Sequence, residues 1–533
     1  MNKLEHLAAS VSALALLSSA AHAAMPLPDG PPILTQEEIA RLPVQRDMNL
    51  QREFYVVLKP EAASAANAVQ AYFRGFGFAT EYVADANAVK LLGSFFQAER
   101  AGNFNYVPGL LPITPLRTST KPSFPDAVES AIFATTFNRG PVMQSQSLTV
   151  AVPTTMPQHF TGVYGLSPAD YGAIYGYNNL YRAGFNGKGE TVDIAACFGY
   201  NATFLANFAT DFNLKPTPNV TAVTSQHGSS LESNLAVQRV YGTAPGAAVR
   251  MWFSNGCTLG DFSNLFIDIF NDQKTHPAAA FNVSFGLPEL LIARSASSAF
   301  VTADLGLSLI TGGAKQKVAL FAPSGDDGDY SIFDHVNLSA PIGQADVAFF
   351  ASDPNVIAVG GTSLVLRGTA RGVETAWSGS TDGGATFFGV GGSGGSGGGI
   401  SNKWPLPTWQ KGVLGTFSQT LKNLPDVSFN AALNSPTLMN EGSETPIAGT
   451  SVASPTWAGT VALLQQAYQK AHHGVSMANW PAYFYNKTTR ATLFTDITDG
   501  TNGRFAAGTG YDNVTGLGVP CFLHYPSPCK GGK

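Results

Sequence analysis

A serine attacks a carbonyl only if another group takes its proton and a third steadies the charge that forms on the carbonyl oxygen. The segment Gly449-Thr450-Ser451-Val452-Ala453-Ser454-Pro455, running into Thr456-Trp457-Ala458-Gly459, offers such a serine. A Gly-Thr turn delivers Ser451 to the start of a helical stretch whose apolar part is Thr460 to Gln466. Its free N–H groups and positive dipole end can face an oxyanion. A helix N-cap would explain a lone serine equally well. The glycine, threonine, proline and small-residue helix occurring together favour a nucleophile. Near the C-terminus, Phe494-Thr495-Asp496-Ile497 and Gly508-Thr509-Gly510-Tyr511-Asp512 supply two carboxylates among glycines that expose backbone carbonyls. That is oxygen chemistry for a hard cation, with calcium the best candidate.

The serine string closely resembles the nucleophile motif shared by subtilisins and sedolisins. Those families differ in the base, which is His supported by Asp in the first and Glu supported by Asp in the second, where a further Asp serves the oxyanion. Here Glu232 and Leu235 stand shortly before Ala244-Pro245-Gly246-Ala247, and Ser324-Gly325-Asp326-Asp327-Gly328 is similar to a Gly-Asp-Ser-Gly motif. Both fit the sedolisin pattern. So do Ala351-Ser352-Asp353-Pro354, Glu374 with Trp377, the stretch Ser396 to Gln410 and Leu424-Pro425-Asp426-Val427.

The resemblance runs from Tyr164 onward and implies a subtilisin-like α/β fold, a parallel sheet with helices on both faces, preceded by a small α+β pro-domain. It implies an acid-active serine-type endopeptidase acting on polypeptide substrates. In that scheme Ser451 is the nucleophile, Glu232 the base and Asp326 a protonated donor to the oxyanion, which requires a high pKa or an acid medium. It also implies Ca2+ held by the carboxylates of Asp496 and Asp512 and the carbonyls of Ile497, Gly508 and Gly510. The chain's own pro-segment is then a partner removed by autolysis.

The pattern breaks at neighbouring points. Ala236 stands where the Asp supporting Glu232 belongs, Ala195-Ala196 where relatives often carry another acid, and Phe285 where they commonly have Trp, although Glu289 is kept. Losing the residue that orients a general base can lower a rate by roughly 10⁴ without removing the oxyanion hole. Asp193 and His227 precede Ser451 in the subtilisin order, but His227-Gly228 lacks the rest of a subtilisin His motif. The rival to a weakened enzyme is a catalytically dead relative that keeps the fold as a peptide-binding or structural module.

These residues need elements to position them. Short apolar runs at Glu190 to Ala196, Ala248 to Phe253, Ala279 to Ser284, Val318 to Ala322 and Val356 to Val359 alternate with helical patterns at Leu259 to Asn271 and Ala299 to Thr311. Such alternation predicts a parallel sheet covered on both faces, with function at the C-terminal strand ends. Upstream, strands at Phe54 to Leu58 and Ala88 to Leu92 and helices at Ala62 to Gly75 and Phe95 to Ala101 form a small α+β unit. The stretch from Tyr106 to about Pro157 has little periodicity and reads as a linker. The expected division is a pro-segment over 24–157, its α+β unit at 50–105, and a peptidase domain over 158–533.

Met1 to Ala23, with the apolar run Leu7 to Leu17 and small residues ending Ala21-His22-Ala23, reads as a secretory signal. The run is too short to span the roughly 30 Å of a bilayer core. Cys197, Cys257, Cys521 and Cys529 suit an oxidising compartment, extracellular or periplasmic, in which all can pair. With 533 residues, 13% of them charged, and a net charge of −5, the chain has ample core-forming material but no basic field to hold nucleic acid or an anionic membrane. Neither is expected as a partner, and the protein is expected to act as a monomer.

Overall fold

A computed structural model describes residues 48–108, 116–145, 148–149, 165–312, 317–328, 345–367, 370–378, 395–412, 417–527 and 529. The signal and its cleavage site lie outside the described residues.

The first unit is an antiparallel sheet of β1 (Arg52–Leu58), β2 (Ala79–Val83), β3 (Ala88–Gly93) and β4 (Ile132–Thr135), in the order β2-β3-β1-β4. Helices α1 (Ala66–Arg74) and α2 (Phe95–Gly102) complete it. Alternation along β1 sends Phe54, Val56 and Leu58 to a core shared with Val69, Phe73 and Phe95, while Tyr55 and Val57 face the other way. Two departures from the sequence reading stand out. Pro60–Ala65 is a 3-10 turn ahead of α1, so the expected Ala62 to Gly75 helix is shorter. The supposed linker also carries β4, so the unit continues to at least Thr135. With four residues, β4 is too short to register as periodic.

Next come two short strands, β5 (Gln144–Ser145) and β6 (Leu148–Thr149). The second unit is built on β7 (Thr191–Ala196), β8 (Asn219–Ala222), α3 (Leu231–Thr243), β9 (Ala248–Phe253), α4 (Leu259–Gln273) and β10 (Ala280–Val283). It continues with β11 (Phe285–Pro288), α5 (Glu289–Thr311), β12 (Ala319–Pro323), β13 (Ile357–Arg367), β14 (Ala370–Ala376) and β15 (Val427–Asn430). A hairpin of β16 (Thr437–Asn440) and β17 (Glu444–Ala448) then leads into α6 (Thr450–Ala471).

The main sheet has the order β8-β9-β7-β10-β12-β13-β14, with β15 also pairing β13. All these pairings are parallel except β13 with β14. Every residue of β10 and β12 is buried, as a continuous apolar run covered on both faces requires. Helices α3 and α6 pack side by side, with α6 also lying along β10, β12, β13 and β15, while α4 and α5 pack together.

The first unit docks on α4. Tyr55, Val57 and Ile267 share one apolar cluster, and around it Tyr55 Oη and Lys90 Nζ each donate to Asp268 Oδ1 at 2.8 Å. Asn264 Nδ2 donates to the Glu53 carbonyl at 2.7 Å, and Arg139 pairs with Asp261. Thus β1 is covered on one face by its own helices and on the other by the second unit. Disulfides join Cys197 to Cys257, linking the end of β7 to the turn before α4, and Cys521 to Cys529.

Candidate active site

The chain turns from β17 into α6 at Gly449, whose φ of 121° suits glycine far better than any other residue. Ser451 therefore falls in the first helical turn, fully buried, and its Oγ lies 3.4 Å from the Ser284 carbonyl at the C-terminal end of β10. Ser454 Oγ donates to Asn282 Oδ1 at 2.6 Å, and Asn282 Nδ2 donates to Ser284 Oγ at 2.9 Å. The first turn of α6 is thereby fixed to the strand end that faces Ser451. Pro455 has no N–H to give the Ser451 carbonyl four residues back.

Asp326 follows β12 and is fully buried. Its Oδ1 accepts from Thr450 N at 2.7 Å and from Thr450 Oγ1 at 2.6 Å, while Oδ2 is buried with no hydrogen-bond partner. Burial raises its pKa to about 7, against the opposing effect of the two Thr450 hydrogen bonds. The neighbouring Asp327 is pushed well above the carboxylate range by burial and then by Asp326. In acid, Asp326 is therefore a neutral carboxyl with a proton free to donate. The loop that presents it leans on the glycine run: Gly397 N donates to the Gly325 carbonyl at 2.7 Å, and a Cβ on Gly397 would stand 2.0 Å from the Ser324 carbonyl oxygen. Gly391 to Gly394 lie outside the described residues.

Glu232 sits in the first turn of α3, which Ser230 caps by accepting from Ser233 N at 3.2 Å. It is buried. Arg239 Nε donates to Thr456 Oγ1 at 3.1 Å and Thr243 lies against Gly459, so α3 and α6 run alongside in the same direction. Carried back along both helices, that offset sets the first turn of α6 level with the part of α3 bearing Glu232 and Ala236. Ala236 is buried, as are Ala195 and Ala196 at the end of β7, so methyl groups occupy the positions where further acids were expected. Phe285 packs on Phe262 with ring centroids 5.0 Å apart.

The subtilisin-like alternative does not assemble. Asp193 is buried in a two-pronged ion pair with Arg250, at 2.7 Å on both oxygens, and His227 stands exposed on a loop.

At the C-terminal loop, Gly510 N donates to Asp496 Oδ2 at 2.7 Å and Gly508 N to Asp512 Oδ2 at 3.0 Å. Thr515 Oγ1 links the Ile497 carbonyl, at 3.4 Å, to Asp512 Oδ1, at 3.1 Å. All five expected ligand residues thus gather in one place. Among the described residues no three His, Cys, Asp or Glu side chains converge on a metal position. Oxygen atoms of two carboxylates and nearby backbone carbonyls are the chemistry that suits a hard cation and not a soft one.

Sequence reasoning missed Thr450, Asn282 and Ser454 as supports. A polar Asn282 inside an apolar strand was the available signal.

The subtilase family profile matches residues 170–518. The chain is similar to kumamolisin of Bacillus sp. (strain MN-32), 28% identical over 380 residues, which is 66% of this chain and 62% of that protein. It is similar to sedolisin of Pseudomonas sp. (strain 101), 32% identical over 296 residues, which is 54% of this chain and 47% of that one. Among solved structures it is similar to Pseudomonas sedolisin, a serine-carboxyl proteinase, complexed with two molecules of pseudo-iodotyrostatin. There the TM-score is 0.56 at 28% identity, covering 67% of this chain and 95% of the other. The chain spans about half to three-fifths of the length of the curated relatives it matches.

Proposed function

The chain belongs to the subtilase family, and from that premise we propose that it is a secreted, acid-active serine-type endopeptidase of the sedolisin kind, made as a zymogen. Ser451 Oγ adds to the scissile carbonyl while Glu232 takes its proton. The neutral carboxyl of Asp326 and the Ser451 backbone N–H then hold the oxyanion. The observation that carries this reading is the bond pair from Thr450 to Asp326. It fixes a buried, proton-bearing acid to the residue next to the nucleophile and leaves its other oxygen without a partner. Acid is required because that carboxyl must keep its proton to donate.

Calcium, when bound, would be held by Asp496, Ile497, Gly508, Gly510 and Asp512 and would tie the C-terminal loop together by charge neutralisation. Polypeptides are the substrates, and the N-terminal unit is the pro-domain. Secretion rests on the segment ending at Ala23; among the described residues no helix is long and apolar enough to cross a membrane.

The test compares hydrolysis of an unfolded protein at about pH 4 by the parent, Ser451→Ala and Ala236→Asp. The parent should be active and Ser451→Ala inactive. Ala236→Asp should gain about 10² or more by orienting Glu232. Equal rates in parent and Ser451→Ala would refute the assignment. The buried methyl of Ala236 favours a second reading, a non-catalytic peptide-binding relative, for which only Ala236→Asp would cut.

A further inference from the structure

Where the first unit meets the second there is a cavity of about 430 Å³, a size within the roughly 300–1,000 Å³ of small-molecule sites. It lies beyond the C-terminal ends of β8 and β9, where Val223 to Ser225 and Ser254-Asn255 leave the sheet. Ligands of open α/β sheets collect at such strand ends. One face of α4 forms a wall, because Asp261, Asn264, Leu265 and Asp268 recur at the helical spacing of three and four residues. Arg52 and Glu53 of β1 and Lys90 of β3 close the other side. Both units thus build the cavity, and it is complete only while they are docked.

Most of its polar groups already answer one another. Arg139 pairs with Asp261, and Lys90 Nζ stands 2.8 Å from both Glu53 and Asp268. Tyr55 Oη also donates to Asp268, and Thr224 Oγ1 donates to the Phe253 carbonyl at 2.9 Å. Two groups are left over. Asn264 is only 6% exposed; its Nδ2 is used on the Glu53 carbonyl, while its Oδ1 is buried without a hydrogen-bond partner. Among the described residues none pairs with the Arg52 guanidinium, whose Nε is also buried. Unmatched buried polar atoms are costly, and native folds keep few of them.

These two groups define what suits the space. A guanidinium is matched by a carboxylate, which can take two of its N–H groups at once. An amide oxygen is matched by an N–H donor. A simple anion would serve Arg52 but leave Asn264 Oδ1 unmatched, and it would stand near Glu53, Asp261 and Asp268. A simple cation would leave Arg52 unmatched and face Lys90 and Arg139 as well. A carboxylate and an N–H together on one short backbone are the mark of a small peptide, and Val223 and Leu265 offer its carbon atoms an apolar contact.

We propose that this seam cavity is a binding site for short peptides with a free C-terminal carboxylate, which Arg52 takes while an N–H of the same peptide donates to Asn264 Oδ1. The lining includes none of Ser451, Glu232 and Asp326, so the site stands independently of the peptidase reading. A bound peptide touches both units, and its binding therefore strengthens their docking.

The test follows the melting temperature of the full-length Ser451→Ala protein at about pH 6, where a peptide carboxylate is ionised, as glycylglycine is added. The expected result is a saturable rise. Glycylglycinamide lacks the carboxylate and acetate lacks the N–H, so each should bind at least about tenfold more weakly. Arg52→Met should weaken glycylglycine by a similar factor. Ser225→Trp, placed at an exposed position on the rim, fills the cavity without touching Arg52 and should abolish the rise. If Arg52→Met does not fold, Arg52→Lys, which keeps the charge but loses the planar fork, takes its place with the same expectation. No saturable rise, or a rise that either variant leaves intact, overturns the proposal; the latter would put the peptide elsewhere, as in the cleft at Ser451. Acetate or glycylglycinamide binding as tightly as glycylglycine would overturn it too, since one of the two matching groups would then be idle.

Discussion

Thr450 does more at this site than its place beside Ser451 reveals. Its hydroxyl and amide both donate to Asp326 Oδ1, which favours the ionised form, while burial favours the neutral form and wins, leaving the pKa at about 7. An acid whose pKa is raised keeps its proton below that value and loses it as pH rises through it. kcat/KM should therefore fall with rising pH through about 7, beyond any limb that Glu232 imposes on the acid side. Thr450→Val removes one stabilising bond from the carboxylate and should move that fall to higher pH. Asp326→Asn should abolish it, and Asp326→Ala should cost about 10²–10³ in kcat. A pH–rate profile of each variant, made with Ala236→Asp if the parent is slow, checks all three; a fall unaffected by Asp326→Asn would assign it to another group. Ser451 and Asp326 could be singled out as candidates because each sits in a contiguous string. The bonds joining Thr450 to Asp326 and Ser454 to Asn282 cross 124 and 172 residues, and no local pattern records them.

Among the elements, the parallel strands were legible because covering both faces forces continuous apolar runs of the right length, as in β7, β9, β10 and β12. What failed was the region after Tyr106. There β4, β5 and β6 take their order from edges supplied by distant strands and need no periodicity of their own. The glycine run illustrates the same limit, since composition alone reads it as a flexible linker. Gly397 in fact lets one backbone lie against Ser324 and Gly325. Gly397→Ala should push that loop away, destabilise the fold by about 1–3 kcal/mol and displace Asp326. Urea unfolding measures the first effect and loss of activity the second; a variant as stable and active as the parent would mean the two segments are free to separate.

For the molecule as a whole, the notable charge feature is the number of acids that burial pushes up to about 7: Glu53, Glu190, Asp326, Asp346 and Glu441. Groups of this kind contribute stability that is intact below about pH 4 and lost as pH rises through about 7. The Ser451→Ala protein, used to prevent self-digestion, should therefore melt at a higher temperature at pH 5 than at pH 8 by calorimetry. The opposite order would show that these carboxylates are already ionised in the native state at pH 5.

Burial of β1 on both faces has a consequence for any hydrolysis of the chain between the two units. Hydrolysis removes the tether but leaves Tyr55 and Val57 seated on Ile267, and Tyr55, Lys90 and Asn264 bonded across the seam. Under the proposed function the two pieces would remain a complex held by these contacts, so that release of the second unit would depend on dilution and not on the cut alone.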